Sequence, residues 1–216
     1  KKAITGFQNI SGTKKVTKSF PTMIYKTSIS KEEFDELPFY SFDGEIVVVD
    51  TKEKMREAAK YMAQFPYLGF DTETRPSFKK GQINQVALLQ LSTHDRAFLF
   101  RLNKQEISRK IIEILADEKI IKAGVAIRDD IKVLQSKQKF SPAGFVELQD
   151  EARKRGIESF SLKKLAAIVL GLRISKAQQL SNWEADELTE PQLRYAATDA
   201  WLSLKVYEHF KNHENE

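Results

Sequence analysis

An acidic pair, Asp71 and Glu73, interrupts the segment Tyr67–Thr74, whose composition is otherwise that of a buried β-strand. Residues i and i+2 of a strand point to the same face, with Cα atoms about 7 Å apart. Two carboxylates held together on an apolar strand repel each other and lose hydration, so a divalent cation would stabilise both. The alternative is that the pair lies on the solvent face of an edge strand, where each carboxylate is hydrated.

A second acidic position follows the predicted strand 122–125. Apolar residues at helical spacing over 127–134 place Asp130, with Asp129 beside it, in the first turn of a helix. The helix dipole favours a carboxylate there. N-terminal capping of the helix is therefore the alternative explanation for either acid.

A third position lies on the last predicted helix, which begins at Thr189 with a capping signature closed by Gln192. Tyr195 and Asp199 are four residues apart and project from one helical face. The alanines between and beside them keep the helix thin, so that its backbone can approach a sheet closely. A tyrosine–aspartate hydrogen bond without further function is the alternative.

The elements that must position these residues follow from hydrophobic periodicity. It predicts strands over 46–50, 67–74, 86–92, 97–100, 122–125 and 145–148, and helices over 51–65, 108–117, 127–134, 151–155, 161–171 and from 189 onward. The polar turn 93–96 joins two antiparallel neighbours. Strands come first and helices alternate later, which predicts an α/β fold with a mixed sheet and helices packed on its faces.

Composition limits the domain organisation. A chain of 216 residues that is 41% hydrophobic supports one good core, so we expect one domain over 45–216, preceded by an N-terminal arm over 1–44. The arm carries Lys2, Lys14, Lys15, Lys18 and Lys26. It is either a solvated segment or a contact for a nucleic-acid backbone. The net charge of +5 weakly favours anionic partners.

The absence of cysteine excludes disulfides, thiolate nucleophiles and zinc–thiolate sites. It fits a reducing, intracellular compartment, and a cytoplasmic location is expected. The sequence contains neither a run of 18 apolar residues nor a signal-like start, so no membrane association is expected.

The three acidic motifs occur in the order D-x-E, aspartate after a later strand, and Y-x3-D on the last helix. In this the chain resembles the DEDD superfamily of 3′-5′ exonucleases, in the subgroup with tyrosine in the third motif. It is similar to the exonuclease domain of the Werner helicase and, more distantly, to RNase D. The resemblance covers about residues 45–210 and implies an RNase H-like mixed β-sheet flanked by α-helices.

The resemblance implies a metal-dependent 3′-5′ exonuclease that removes nucleoside monophosphates from the 3′ end of DNA, as in DNA repair. The implied cofactors are two divalent ions, Mg²⁺ or Mn²⁺, for which an all-oxygen cage is suited. An RNase D-like exoribonuclease and a non-catalytic nucleic-acid-binding module are the alternatives. The sequence identifies no protein partner.

Roles carried over from the resemblance fall on five residues. Asp71 bridges both ions, Glu73 and Asp199 complete one site, and Asp130 holds the other, largely through water. Tyr195 orients the attacking water, since a phenol with a pKa near 10 is a poor base at neutral pH.

Substrate contacts are expected just after the acidic pair. A ring beside basic side chains can stack on a terminal base while the cations meet phosphates, although an ordinary polar loop is the alternative. The residues concerned are Thr72, Arg75, Phe78, Lys79 and Lys80.

Overall fold

A computed structural model describes residues 25–76 and 85–213 of the chain. The predictions for Phe78, Lys79 and Lys80 lie outside the described residues, as do those for Lys2, Lys14, Lys15 and Lys18 of the arm. The strands are β1 (Glu45–Val49), β2 (Tyr67–Thr74), β3 (Val86–Ser92), β4 (Arg96–Arg101), β5 (Ile121–Gly124) and β6 (Phe145–Glu147). The helices are α1 (Lys31–Glu36), α2 (Lys52–Met62), α3 (Arg109–Leu115), α4 (Ile127–Lys137), α5 (Leu148–Lys154), α6 (Leu162–Leu165), a π-helical turn (Ala166–Leu170) and α7 (Glu190–Asn212).

The six strands form one mixed sheet in the order β1-β4-β3-β2-β5-β6. Strand β3 runs antiparallel to both of its neighbours, β2 and β4, and the remaining pairs are parallel. The predicted mixed sheet with helices on its faces is confirmed. Strand β2, which carries Asp71 and Glu73, is an interior strand, so the edge-strand alternative for these two acids is wrong.

Helices cover both faces of the sheet. Leu68 and Phe70 of β2 are fully buried in the core cluster that also contains Met55 of α2, Ile111 of α3 and Leu134 of α4. The alternate residues of β2 face α7, which packs on the opposite side of the sheet together with α5 and α6. None of the described helices combines the length and apolar composition that a membrane span requires.

The described part of the N-terminal arm packs on the domain. Helix α1 begins with a capping box at Ser30, and its Phe34 is buried. Farther along, the backbone N–H of Phe42 donates a hydrogen bond of 2.9 Å to Thr198 Oγ1 of α7. Residues 25–44 thus contact the helix that bears Tyr195 and Asp199, while the boundary predicted at residue 45 stays a prediction.

A buried lysine closes the turn between α3 and β5. Lys122 is fully buried, and its Nζ donates to the carbonyl oxygens of Ile114, Asp117 and Ile120 at 3.0, 2.7 and 2.6 Å. Burial lowers the pKa of Lys122 to about 8. Because buried carbonyl groups need donors, this side chain holds together the loop from which β5 starts.

Replacing Lys122 by methionine should therefore lower the free energy of unfolding by about 2–4 kcal/mol, since three carbonyl groups lose a buried donor. Urea denaturation measures the change. Lys119→Met is the control, because Lys119 is exposed in the same turn and should change stability by less than about 0.5 kcal/mol. Equal losses in the two variants would contradict a role for the buried ammonium group.

Candidate active site

Three carboxylates converge where β2 meets α7. One oxygen atom from each of Asp71, Glu73 and Asp199 lies within 4.8 Å of the others. The first two come from the carboxyl-terminal half of β2, and Asp199 from the middle of α7. The prediction that Asp71 and Glu73 share a face and meet the acid of the last helix is confirmed.

Gly69 allows this convergence, because it lies on the face of β2 that contacts α7. A Cβ atom at Gly69 would lie 1.8 Å from the carbonyl oxygen of Ala200 and 2.6 Å from Ser92 Oγ. Ala196 and Ala200 of α7 are themselves fully buried. Small residues on both sides thus bring the helix backbone against the strand, which places Asp199, next to Ala200, against Asp71.

Gly69→Ala should therefore push α7 away from β2. We expect the free energy of unfolding to fall by about 1–3 kcal/mol through overpacking, and the affinity for divalent cations to fall as well. Calorimetric titration with Mn²⁺ measures the second effect. Gly156→Ala is the control for a glycine substitution, because a Cβ there meets no atom within 4 Å although φ is +75°. Unchanged Mn²⁺ affinity in Gly69→Ala would contradict the positioning role.

Asp130 approaches the cluster from α4, which follows the carboxyl end of β5. Thr72 Oγ1 donates a hydrogen bond of 2.6 Å to Asp130 Oδ1, and Thr72 lies between Asp71 and Glu73 on β2. Burial raises the pKa of Asp130, and the hydrogen bond from Thr72 opposes that shift. The fourth acid is therefore linked to the other three through Thr72.

Glu147 of β6, rather than either aspartate, caps α4. Its Oε1 accepts from the N–H of Ala126 and its Oε2 from that of Ile127, each at 2.9 Å. Ala126, the residue before the helix, has a left-handed φ of 59° and makes no side-chain cap. The capping alternative for Asp129 and Asp130 is wrong. The carboxylate of Glu147 instead fixes the first turn of α4, which carries Asp130.

Asp129 points away from the acid cluster. It is exposed and forms an ion pair of 2.8 Å with Lys132 on its own helix. The hydrogen bond from Lys132 lowers the pKa of Asp129. The charge of Asp130, in contrast, acts on Asp71 and Glu73, although its carboxylate is not one of the three that lie within 4.8 Å of one another.

Crowding of the acids shifts their protonation. Burial first, and then the charges of Asp71, Asp199 and Asp130, raise the pKa of Glu73 to about 10. Burial raises the pKa of Asp199 to about 7, and that of Asp71 rises well above its usual range through burial and the charges of Asp199 and Asp130. Without a cation, the cluster therefore holds protons at neutral pH, and a bound cation would displace them.

These shifts predict a pH dependence of stability. Glu73 and Asp199 have folded-state pKa values above those of the unfolded chain. Their contribution to the free energy of unfolding is therefore complete below about pH 4 and is lost as the pH rises through about 7 for Asp199 and about 10 for Glu73. In EDTA, stability should fall between pH 5 and 9 by up to about 1.4 kcal/mol per pH unit for each extra proton held by the folded state. Melting temperatures with EDTA and with saturating Mg²⁺ test this, and parallel pH curves would contradict it. Glu73→Gln should flatten the EDTA curve.

Tyr195 is packed beside Asp199. Its hydroxyl forms a hydrogen bond with the Asp199 carboxylate, and burial together with the charges of Asp199 and Glu73 raises the pKa of the phenol. The fully buried indole of Trp183 lies beside it, with ring centroids 6.0 Å apart. Because this indole also packs with Leu88 and Leu99 of the sheet, it anchors its loop to the core. Tyr195 is thus a neutral hydrogen-bonding group held in a fixed orientation.

The predicted substrate contacts have other partners in this structure. The Thr72 hydroxyl donates to Asp130, and the Arg75 guanidinium lies 3.3 Å from Glu184 Oε2. Their contact with substrate stays a prediction.

Gln90 is a polar residue of this site that the sequence patterns missed. It is directly opposite Asp71 in the β2–β3 register, is fully buried, and its amide has no hydrogen-bond partner among the described residues. Opposed residues of an antiparallel pair share a face, so this amide lies beside the acid cluster. The site therefore contains an unpaired buried polar group that could bond to a water or ligand.

The mixed sheet flanked by helices is that of RNase H-like enzymes, and its carboxylate cluster could hold a metal ion. A family model described as 3′-5′ exonuclease matches residues 46–214. The chain therefore belongs to the 3′-5′ exonuclease family, within the DEDD superfamily, whose members use divalent metal ions.

Two curated relatives share about a third of their aligned residues with the chain. It is 33% identical over 188 residues to the mouse bifunctional 3′-5′ exonuclease/ATP-dependent helicase WRN, covering 82% of this chain and 13% of that protein. It is 34% identical over 160 residues to human exonuclease 3′-5′ domain-containing protein 2, covering 68% of this chain and 25% of that one. The chain thus spans only a minor part of these relatives.

Solved structures show the same fold. The Nibbler EXO domain of Aedes aegypti superposes with a TM-score of 0.72 at 23% identity, covering 81% of this chain and 92% of that one. RNase D of Escherichia coli gives a TM-score of 0.70 at 23% identity, covering 77% of this chain and 44% of the other. The resemblance seen in the sequence and the RNase H-like fold it implied are confirmed, whereas the roles of individual residues stay predictions.

Proposed function

We propose that this chain hydrolyses the 3′-terminal phosphodiester bond of DNA and releases nucleoside monophosphates, with two divalent ions held by its acid cluster. One observation carries the proposal: Asp71, Glu73 and Asp199, far apart in sequence, lie within 4.8 Å of one another, with Asp130 linked through Thr72. Burying like charges together costs stability, so the arrangement is best explained by a shared cation.

The donor set fits hard cations. All four acidic side chains offer oxygen, the ligand that Mg²⁺ and Mn²⁺ prefer. In this proposal Asp71 would share both ions, Glu73 and Asp199 would complete one site, and Asp130 would serve the other. Two such ions, when bound, acidify the attacking water and neutralise charge on the scissile phosphate and the leaving oxygen.

Tyr195 orients the attacking water and does not abstract its proton. Its phenol stays protonated because burial and the neighbouring carboxylates raise its pKa. A neutral hydroxyl can accept a hydrogen bond from a water while donating one to a carboxylate. Trp183 packs against its ring, which restricts the directions in which that hydroxyl can point.

DNA is the proposed substrate because the sequence resembles the Werner exonuclease domain more than RNase D. The chain is 33% identical over 188 residues to the mouse exonuclease/helicase. RNA is the second candidate, since the RNase D fold, including that of the Trypanosoma brucei enzyme bound to RNA, matches this chain with a TM-score of 0.70.

A time course on matched DNA and RNA strands tests the proposal. Strands labelled at the 5′ end should shorten stepwise in Mg²⁺ or Mn²⁺, and 3′-labelled strands should lose their label in the first step. EDTA should stop both reactions. If RNA shortens faster than DNA, the substrate is RNA. If neither strand shortens, the chain is a non-catalytic nucleic-acid-binding module.

A further inference from the structure

The acid cluster opens into a basic groove beside α6. Tyr195 and Asp199 line a cavity of about 280 Å³ together with Ser161, Lys163 and Lys176. The last three residues also line a second cavity of about 280 Å³. Because the two cavities share walls, the second one extends the opening at the acids toward α1.

Positive charge dominates the second cavity. We call it the lysine groove, and its defining residues are Lys31 of α1, Lys163 and Lys164 of α6, and Lys176 of the loop before α7. The acidic residue in its lining is Asp35. An anionic ligand would therefore be attracted along the path that ends at Tyr195 and Asp199.

The four lysines lack acidic partners. None of them has a carboxylate oxygen within 4.0 Å among residues 25–76 and 85–213. Elsewhere on the described surface, lysines commonly pair with a nearby acid, as Lys154 does with Glu151 at 2.5 Å and Lys205 with Glu208 at 2.8 Å. The four ammonium groups of the groove are thus not held in ion pairs with described residues, so they can contact an anion.

Packing fixes part of this surface. Phe34 of α1 is buried, and the Lys163 ammonium lies 4.2 Å from the centre of its ring. Lys164 Nζ donates a hydrogen bond of 2.9 Å to the carbonyl oxygen of Ile29, which precedes α1. Lys31 occupies the first turn of α1, where the helix dipole disfavours a cation. The folded arm therefore presents a lysine toward the groove at some cost to its own helix.

We propose that the lysine groove binds the backbone phosphates of the substrate strand on the 5′ side of the terminal nucleotide. This inference rests on the proposed function, because it assigns the path by which a strand leaves the acid cluster. Lysine contacts phosphate as a point charge and does not read sugar or base, so the groove should serve DNA and RNA alike. Lys176 joins the two regions, since its charge also acts on Asp199.

The test uses the double variant Lys31→Gln/Lys163→Gln, which leaves the acids and Tyr195 intact. Binding of a fluorescein-labelled single strand is followed by anisotropy in EDTA at several NaCl concentrations, with DNA and RNA in separate series. We expect about tenfold weaker binding at low salt. The slope of the logarithm of the binding constant against the logarithm of the NaCl concentration should become smaller in magnitude by about 1.4, because each phosphate contact in a single strand contributes about 0.7.

A matched control removes the same charge elsewhere. Lys60→Gln/Lys119→Gln changes two exposed lysines on α2 and in the turn before β5, and both lie on parts of the fold away from α7. This variant should bind as the wild-type protein does. If both variants lose affinity equally, or if Lys31→Gln/Lys163→Gln keeps the wild-type slope, the groove assignment is overturned.

A small substrate separates this inference from the proposed function. The p-nitrophenyl ester of thymidine 5′-monophosphate has no upstream phosphates. The single variant Lys31→Gln, whose residue lines only the second cavity, should therefore cleave it at the wild-type rate while kcat/KM for a long strand falls about threefold. Equal losses on both substrates would overturn the groove. A wild-type protein that cleaves neither substrate would overturn the proposed function, whereas the salt-slope result would still decide the groove.

Discussion

Asp71→Asn should lower the hydrolysis rate by at least about a thousandfold, equivalent to about 4 kcal/mol of transition-state stabilisation. This expectation rests on the proposal that Asp71 is the ligand shared by both ions; its carboxylate lies in one cluster with Glu73 and Asp199, and the charge of Asp130 also acts on it. The amide keeps the size of the side chain but removes its charge. Single-turnover rates in saturating Mg²⁺ measure the loss, and near-normal turnover would contradict the shared-ligand role.

The same substitution should stabilise the cation-free protein. Removal of one of several crowded carboxylates relieves repulsion, so we expect the free energy of unfolding in EDTA to rise by about 0.5–2 kcal/mol. Asp129→Asn is the matched control, because Asp129 is exposed and paired with Lys132 outside the cluster. It should change neither turnover nor cation affinity. A destabilised Asp71→Asn protein in EDTA would contradict the claim that the crowded carboxylates repel one another.

Tyr195→Phe should lower kcat by about 10- to 100-fold and leave Mn²⁺ affinity unchanged. The ring still packs against Trp183, so the substitution removes only the hydroxyl that bonds to Asp199. Rapid-quench kinetics and Mn²⁺ calorimetry on the same preparation separate the two effects.

The control for Tyr195→Phe lies on the same helix. Tyr207 is half-buried, lies eight residues after Asp199 on α7, and packs edge-on against Tyr67 with ring centroids 5.4 Å apart. Tyr207→Phe should turn over at the wild-type rate. If Tyr195→Phe does the same, the tyrosine has no part in orienting the water.

Local patterns predicted most of the fold. The β2 strand, the antiparallel pair of β3 and β4 and the capped start of α7 agree with the sequence because period-2 and period-3.6 signals and capping residues act over a few neighbours. The same-face geometry of Asp71 and Glu73 also follows from strand periodicity alone. The helix predicted over 161–171 ends at Gly171, which has φ of 66°, but its second half is π-helical.

Long-range contacts account for what the sequence did not predict. Glu147 caps α4 from another strand, and the need for glycine at position 69 depends on the carbonyl group of Ala200. Lys31 lines the lysine groove only because α1 packs beside α6. None of these contacts leaves a periodic or short-range signal. The alanines of the last helix indicate a close approach to a sheet, but they do not identify Gly69 as the residue that it contacts.

The acid cluster lowers the free energy of unfolding of the cation-free protein. Burial and mutual repulsion raise the pKa values of Asp71, Glu73 and Asp199, which means that the fold opposes their ionisation. The buried amide of Gln90 adds a further unpaired polar group. Cation binding would reverse these costs, so fold stability and catalytic competence should both depend on divalent ions.

Anomalous diffraction from crystals soaked in Mn²⁺ tests the account most directly. We predict a strong peak coordinated by oxygen atoms of Asp71, Glu73 and Asp199, and a second peak between Asp71 and Asp130. Asp71→Asn crystals soaked in the same way should lose both peaks. Manganese bound elsewhere in the lattice, with density absent among these four side chains, would contradict the claim that they converge to share cations.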